Sequence, residues 1–98
     1  MSVDEFRQSS KGRPPPGMHG ALLALWHAAR GDWAAAHETA QGDETANGAR
    51  VHAYLHRREG ELGNAAYWYR RAGLTPPKCG VEAEWELIAG ELLEAGDT

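Results

Sequence analysis

Within the stretch "RVHAYLHRREGELGNAAYWYRRAGLTPP", residues 50–77, His52 and His56 stand four apart and Glu59 follows one turn later. On a helix that spacing puts both imidazoles on one face. Two imidazoles and a carboxylate are a partial ligand set for Zn²⁺ or another transition-metal ion. A structural zinc site needs four ligands and a catalytic one needs three plus water. No cofactor and no metal ligand is therefore expected from this stretch alone. The metalloprotease pattern is missing as well, because Ala53 stands where a glutamate would follow the first histidine. Packed histidines with satisfied nitrogens are the expected outcome; a small-ligand or metal pocket centred on His52 and His56 is the alternative. His19 and His37 read as surface residues.

Tyr67, Trp68 and Tyr69 cannot all point inward, because consecutive helical residues are ~100° apart. Tyr69 falls on the core side. Trp68 shares a stripe with Asn64 and Arg71. It either packs against the later segment carrying Trp85 or, with Arg71, walls a ligand or peptide site, where arginine stacks on a ring or forks onto a carboxylate. Arg57, Arg58, Arg70 and Arg71 make two basic pairs here. They either form ion pairs with Glu59, Glu61 and the acidic end of the chain, or capture an acidic partner. His52, His56, Arg57, Asn64, Trp68 and Arg71 are the candidate ligand- or partner-binding residues. No catalytic residue is expected. Ser9 and Ser10 fall in an expected tail, Cys79 follows a proline loop with no histidine nearby in sequence, and "GDETANG" lacks the Gly-Lys-Ser/Thr end of a phosphate loop.

The elements that must carry these groups are helical. Leu22, Leu25, Trp26 and Ala29 fall at i, i+3, i+4, i+7. Gly31-Asp32 ends that helix and caps the next, whose inner side is Trp33, Ala36 and Ala40. A third helix is predicted from about Thr45 or Ala49 to Glu59, with Val51, Tyr54, Leu55 and Arg58 on one side and Ala49, His52, Ala53 and His56 on the other. After Gly60, the run Leu62, Ala65, Ala66, Tyr69, Ala72, Gly73 predicts a fourth helix with a face of small residues, ended by "GLTPP". Val81, Trp85, Ile88 and Leu92 predict a last amphipathic helix, ringed by Glu82, Glu84, Glu86, Glu91 and Glu94. Residues 1–16, closing on three prolines, are expected to be a flexible proline-rich tail, and 17–98 a single helical domain.

Charge is unevenly spread. Residues 1–48 hold four Lys/Arg and six Asp/Glu, residues 49–78 six and two, and residues 79–98 none and six. The basic middle is expected to pack against the acidic end. A net charge of −4 argues against non-specific nucleic-acid binding. One cysteine, a start without a basic-then-apolar pattern, and no apolar run near ~20 residues make a cytoplasmic protein, with no membrane partner, the default expectation.

Gly31 and Gly60 recur 29 residues apart, each between two helices. With Ala53, Gly60, Ala65, Tyr69, Ala72 and Pro77 in place, the chain over residues 17–77 resembles tetratricopeptide repeats, helix-turn-helix units of ~34 residues. The first unit keeps Gly31 and Ala36 but has Ala40 in place of the aromatic. That resemblance implies an all-α fold of two stacked antiparallel hairpins, with 81–95 as a C-terminal capping helix. It implies packing positions for His52 and His56, and it would bring His27, at the matching place in the first hairpin, near them. It also implies a non-enzymatic module binding a protein or peptide, acidic in character, or a second copy of the chain. Arg50, Tyr54, Arg57 and Arg58 would lie on the concave face; the first hairpin offers only Met18, Ala21, Leu25 and Ala28 there, so a two-repeat carboxylate clamp is absent.

Overall fold

The computed structural model describes residues 1–96; Asp97 and Thr98, at the end of the expected domain, lie outside them. Six α-helices and no strand occur among the described residues: α1 Val3–Ser9, α2 Gly20–Ala29, α3 Trp33–Gln41, α4 Ala46–Arg58, α5 Leu62–Arg71 and α6 Val81–Glu94. The fold is all-α, with α2–α3 and α4–α5 as hairpins and α3 against α4 joining them.

Each hairpin reverses at a glycine that leaves right-handed space. Gly31 and Gly60 both have φ of 80°, a conformation that only glycine adopts without strain. Asp32 then caps α3 by accepting from the Ala35 N–H, and Thr45 caps α4 by accepting from Gly48 N–H. Position 48 requires glycine, because a Cβ there would lie 2.0 Å from the Asp43 carbonyl oxygen.

Apolar side chains from five helices make the main core, among them Leu22, Leu25 and Trp26 of α2, Ala36 and Ala40 of α3, Val51, Tyr54 and Leu55 of α4, Trp85 and Ile88 of α6, and Phe6 of α1. A smaller cluster of Ala53, Ala65 and Tyr69, flanked by Trp68, joins α5 to α4. The small side chains let the two backbones approach, as the alanine spacing predicts.

Helix α6 packs back across α1, α2 and α4 instead of stacking on α5. Its apolar stripe is drawn to the larger core, where the Trp85 indole N–H donates to the Leu25 carbonyl at 3.1 Å. Charge fixes its register along α4. Arg50 meets Glu91 at 2.7 Å, Arg57 meets Glu84 at 2.8 Å, and Arg58 meets Glu82. The basic middle and acidic end of the chain therefore pair with each other. Exposed pairs of this type contribute only ~0–1 kcal/mol each. Arg57–Glu84 differs, because Glu84 is only 2% exposed and also accepts the Tyr69 hydroxyl at 2.6 Å. That hydroxyl is the hydrogen bond that ties α5 to α6.

The N-terminus departs from the expected tail. Val3–Ser9 is a helix, Phe6 is 0% exposed, and its ring stacks on Trp85 at 5.5 Å. Ser9 Oγ accepts from the Trp26 indole N–H at 3.0 Å. Seven residues cannot hold a helix alone; the buried Trp85 ring supplies the partner. A local sign was present in Ser2 and Glu5, which form a reciprocal capping box. The irregular proline-rich segment comes after this helix, between Ser10 and His19.

Candidate functional site

The histidines come from two helices. His52 and His56 share a face of α4, so their rings lie nearly parallel, 4.8 Å apart with planes at 20°. His37, on the neighbouring α3, meets both rings edge-on, at 5.5 Å from His52 and 5.0 Å from His56. One ring nitrogen from each of the three lies within 4.8 Å of the others. His37 is thus half-buried inside the group, not a free surface residue. It adjoins Ala36 on the buried side of α3, one position from the core stripe, which is the sequence sign that could have found it.

Two of the rings are held by carboxylates from the α4–α5 turn. His56 Nδ1 lies 2.9 Å from Glu61, and His37 Nε2 contacts Glu59. A carboxylate that accepts one ring N–H orients the imidazole and leaves the other nitrogen with its lone pair. His52 is different. It is 3% exposed, and its Nδ1 has no hydrogen-bond partner among the described residues. Burial, then the neighbouring His56 and His37, push it down to about 4, so it is a neutral imidazole near pH 7. His56, Glu59 and Glu61 form a second group equally close, sharing His56. The cluster therefore offers imidazole nitrogen and carboxylate oxygen together, a set suited to zinc, nickel or copper.

On its other face His52 is covered by α5. The Trp68 indole stacks on it at 4.0 Å and 24°, and the Arg71 guanidinium lies over Trp68 at 5.3 Å. Arg71 Nη1 also donates to the Tyr67 hydroxyl at 3.1 Å. A cavity of about 630 Å³ opens beside this stack, lined by His52, Trp68 and Arg71 and by residues of the α3–α4 connection. A larger depression, about 1020 Å³, lies between the start of α2 and that connection. Its central acid, Asp43, is spent on the Ala21 N–H and on Thr45, so it offers less to a ligand.

Of the candidate residues read from sequence, His52, His56, Trp68 and Arg71 are brought together. Arg57 points away, to Glu84 and the Cys79 carbonyl, and serves to seat α6. Asn64 is exposed on α5 and joins neither the rings nor the cavity wall. Trp68 does not pack on Trp85, because α6 lies across α1, α2 and α4. His27 stays with Trp26 on α2, edge-on at 5.3 Å, outside the histidine cluster. Glu84, expected among the glutamates around the last helix, is instead buried.

No family model matches the chain, and neither a curated protein nor a solved structure is significantly similar to it.

Proposed function

We propose that the chain is a non-enzymatic helical protein that binds a divalent transition-metal ion through His37, His52 and His56. One observation carries this: three imidazole nitrogens from two hairpins converge within 4.8 Å. Bonds of ~2.0–2.1 Å to a tetrahedral Zn²⁺ set ligand nitrogens roughly 3.3 Å apart, so modest ring rotations close the set. Glu59 or water would complete the four-coordinate shell. The neutral state of His52 favours binding, since no proton must leave it near pH 7. The bound ion would link α3 to α4, and so one hairpin to the other.

Docking of an acidic protein or peptide on the basic third and fourth helices has less support. Arg50, Arg57 and Arg58 each already hold a glutamate of α6. The tetratricopeptide likeness adds hairpin architecture to this proposal but names no partner.

The test is competition of Zn²⁺, Ni²⁺ and Cu²⁺ against a chromophoric chelator, with folding checked by circular dichroism. One ion per chain is expected, and His37→Ala, which removes a half-exposed ring, should weaken it at least tenfold. Equal affinity in the wild type and in His37→Ala combined with His56→Ala would remove the proposal.

A further inference from the structure

We infer that a basic hollow beside the ends of α1 and α2 binds the dianion of a phosphate monoester, held by Arg7, Arg30 and Arg58. It shares no residue with the metal group or with the cavity beside His52. A cavity of about 350 Å³ is lined by these three arginines together with Trp33, Tyr54 and Glu82. A second hollow, of about 540 Å³, shares Arg7, Ala29 and Arg30 with it and adds Ser10 and Lys11. The two adjoin, and their volumes fall in the range of small-molecule sites.

Charge balance selects the ligand. The two hollows hold four cations, Arg7, Lys11, Arg30 and Arg58. Two carboxylates pair with them: Glu82, which meets Arg58 and lies 3.9 Å from Arg7, and Glu86, 3.0 Å from Arg7. Four cations against two acids leave two positive charges, in a chain whose net charge is −4. The surplus belongs to Lys11 and Arg30, neither of which makes an ion pair among the described residues. A phosphate monoester carries about −1.5 to −2 at pH 7 on three strong acceptor oxygens, which matches that surplus.

The guanidinium groups are already in place. Each lies over a different indole: Arg7 over Trp85 at 4.2 Å, Arg30 over Trp26 at 5.0 Å and Arg58 over Trp33 at 5.0 Å. An arginine seated on a ring keeps N–H groups at its edge to fork onto an oxyanion, and has little side-chain freedom left to lose. Arg30 Nη1 also donates to the Gly12 carbonyl at 2.8 Å, which fixes it further. Glu82 is the competitor within the hollow. Its side chain is 67% exposed, so its pair with Arg58 is weak and a dianion can displace it.

The experiment titrates phenyl phosphate, phenyl sulfate and a phosphoserine tripeptide into the intact chain in phosphate-free buffer and follows ¹H–¹⁵N NMR shifts. Phenyl phosphate should saturate, with the largest shifts at Arg30 and at the indole N–H groups of Trp26, Trp33 and Trp85. Phenyl sulfate, of similar shape with one charge fewer, should bind about fivefold more weakly. Either phosphate saturating at these residues supports the site, and the tighter of the two tells a protein-borne phosphate from a small molecule. Lys11→Gln combined with Arg30→Gln removes the surplus charge and should weaken phenyl phosphate about tenfold or more. Glu82→Gln removes the competitor at an exposed position and should strengthen binding about threefold, a gain that loss of folding cannot mimic. Non-saturating phosphates, equal binding of phenyl sulfate, unchanged affinity in the double variant, or no gain in Glu82→Gln would overturn the inference.

Discussion

The Trp68 indole lies flat on the His52 imidazole, 4.0 Å between centroids with planes at 24°. The stack places a fluorophore of α5 directly against the candidate metal group of α4. If Cu²⁺ binds at His37, His52 and His56, Trp68 is the nearest reporter among the four tryptophans. Cu²⁺ should quench part of the tryptophan emission in the wild type. Most of that quenching should vanish in Trp68→Phe, while Trp33→Phe keeps it. Equal quenching in both variants would place the ion elsewhere.

An ion bound only by the folded chain must also raise its stability. At a free Zn²⁺ concentration of 100 times Kd the gain is ~2.7 kcal/mol, an increase in Tm of roughly 10–20 °C for a domain of this size. At the same Zn²⁺ concentration His37→Ala should cut that increase by about half or more, while changing the metal-free Tm little. Differential scanning calorimetry with and without EDTA reads both.

Glu84 ties three helices through Arg57 and Tyr69. Replacing it by alanine leaves the Arg57 guanidinium without its carboxylate and the Tyr69 hydroxyl without its acceptor. A loss of about 3–5 kcal/mol is expected, well above the loss for Glu86→Ala at an exposed pair. Urea denaturation of the two variants side by side makes the comparison. Similar midpoints would mean that Glu84 is solvated.

Phe6→Ala tests whether α1 belongs to the core. Removing a fully buried phenylalanine ring stacked on Trp85 should cost ~3–5 kcal/mol. A change below ~0.5 kcal/mol in chemical denaturation would return residues 1–16 to the status of a tail.

Alkaline pH should weaken the fold. Burial pushes the Tyr54 hydroxyl up to about 12 and, with the Glu84 hydrogen bond, raises Tyr69 well above the ordinary tyrosine value. A raised folded-state value means that these tyrosines stabilise the protein fully below pH 10, and that the contribution is lost as pH rises from 10 through 12. Tyr69→Phe should flatten part of that decline in Tm. An identical slope for the variant and the wild type would show that Tyr69 is not involved.

Two glycines give opposite signs. Gly60 has φ of 80°, so Gly60→Ala should destabilise by about 1–2 kcal/mol. Gly63 sits within α5 with open space around its Cβ position, so Gly63→Ala should stabilise by ~0.5–1 kcal/mol. Thermal melts that move in the same direction for both would contradict the assigned turn.

What the amino-acid order determined by itself was local. The glycines at 31 and 60, the caps at Asp32 and Thr45, and the i, i+4 apolar spacing specify two hairpins and a terminal helix, because each signal acts within one or two turns of chain. The same locality placed His52 and His56 on one face. Tertiary packing decided the rest. His37 joins the cluster across the α3–α4 contact, Trp68 turns to His52 rather than Trp85, Glu84 is buried, and Phe6 makes a helix out of an expected tail. Those outcomes depend on where α6 lies. Apolar burial is non-directional, and it drew Trp85 and Ile88 into the larger core of α2 and α4 instead of onto the outer side of α5.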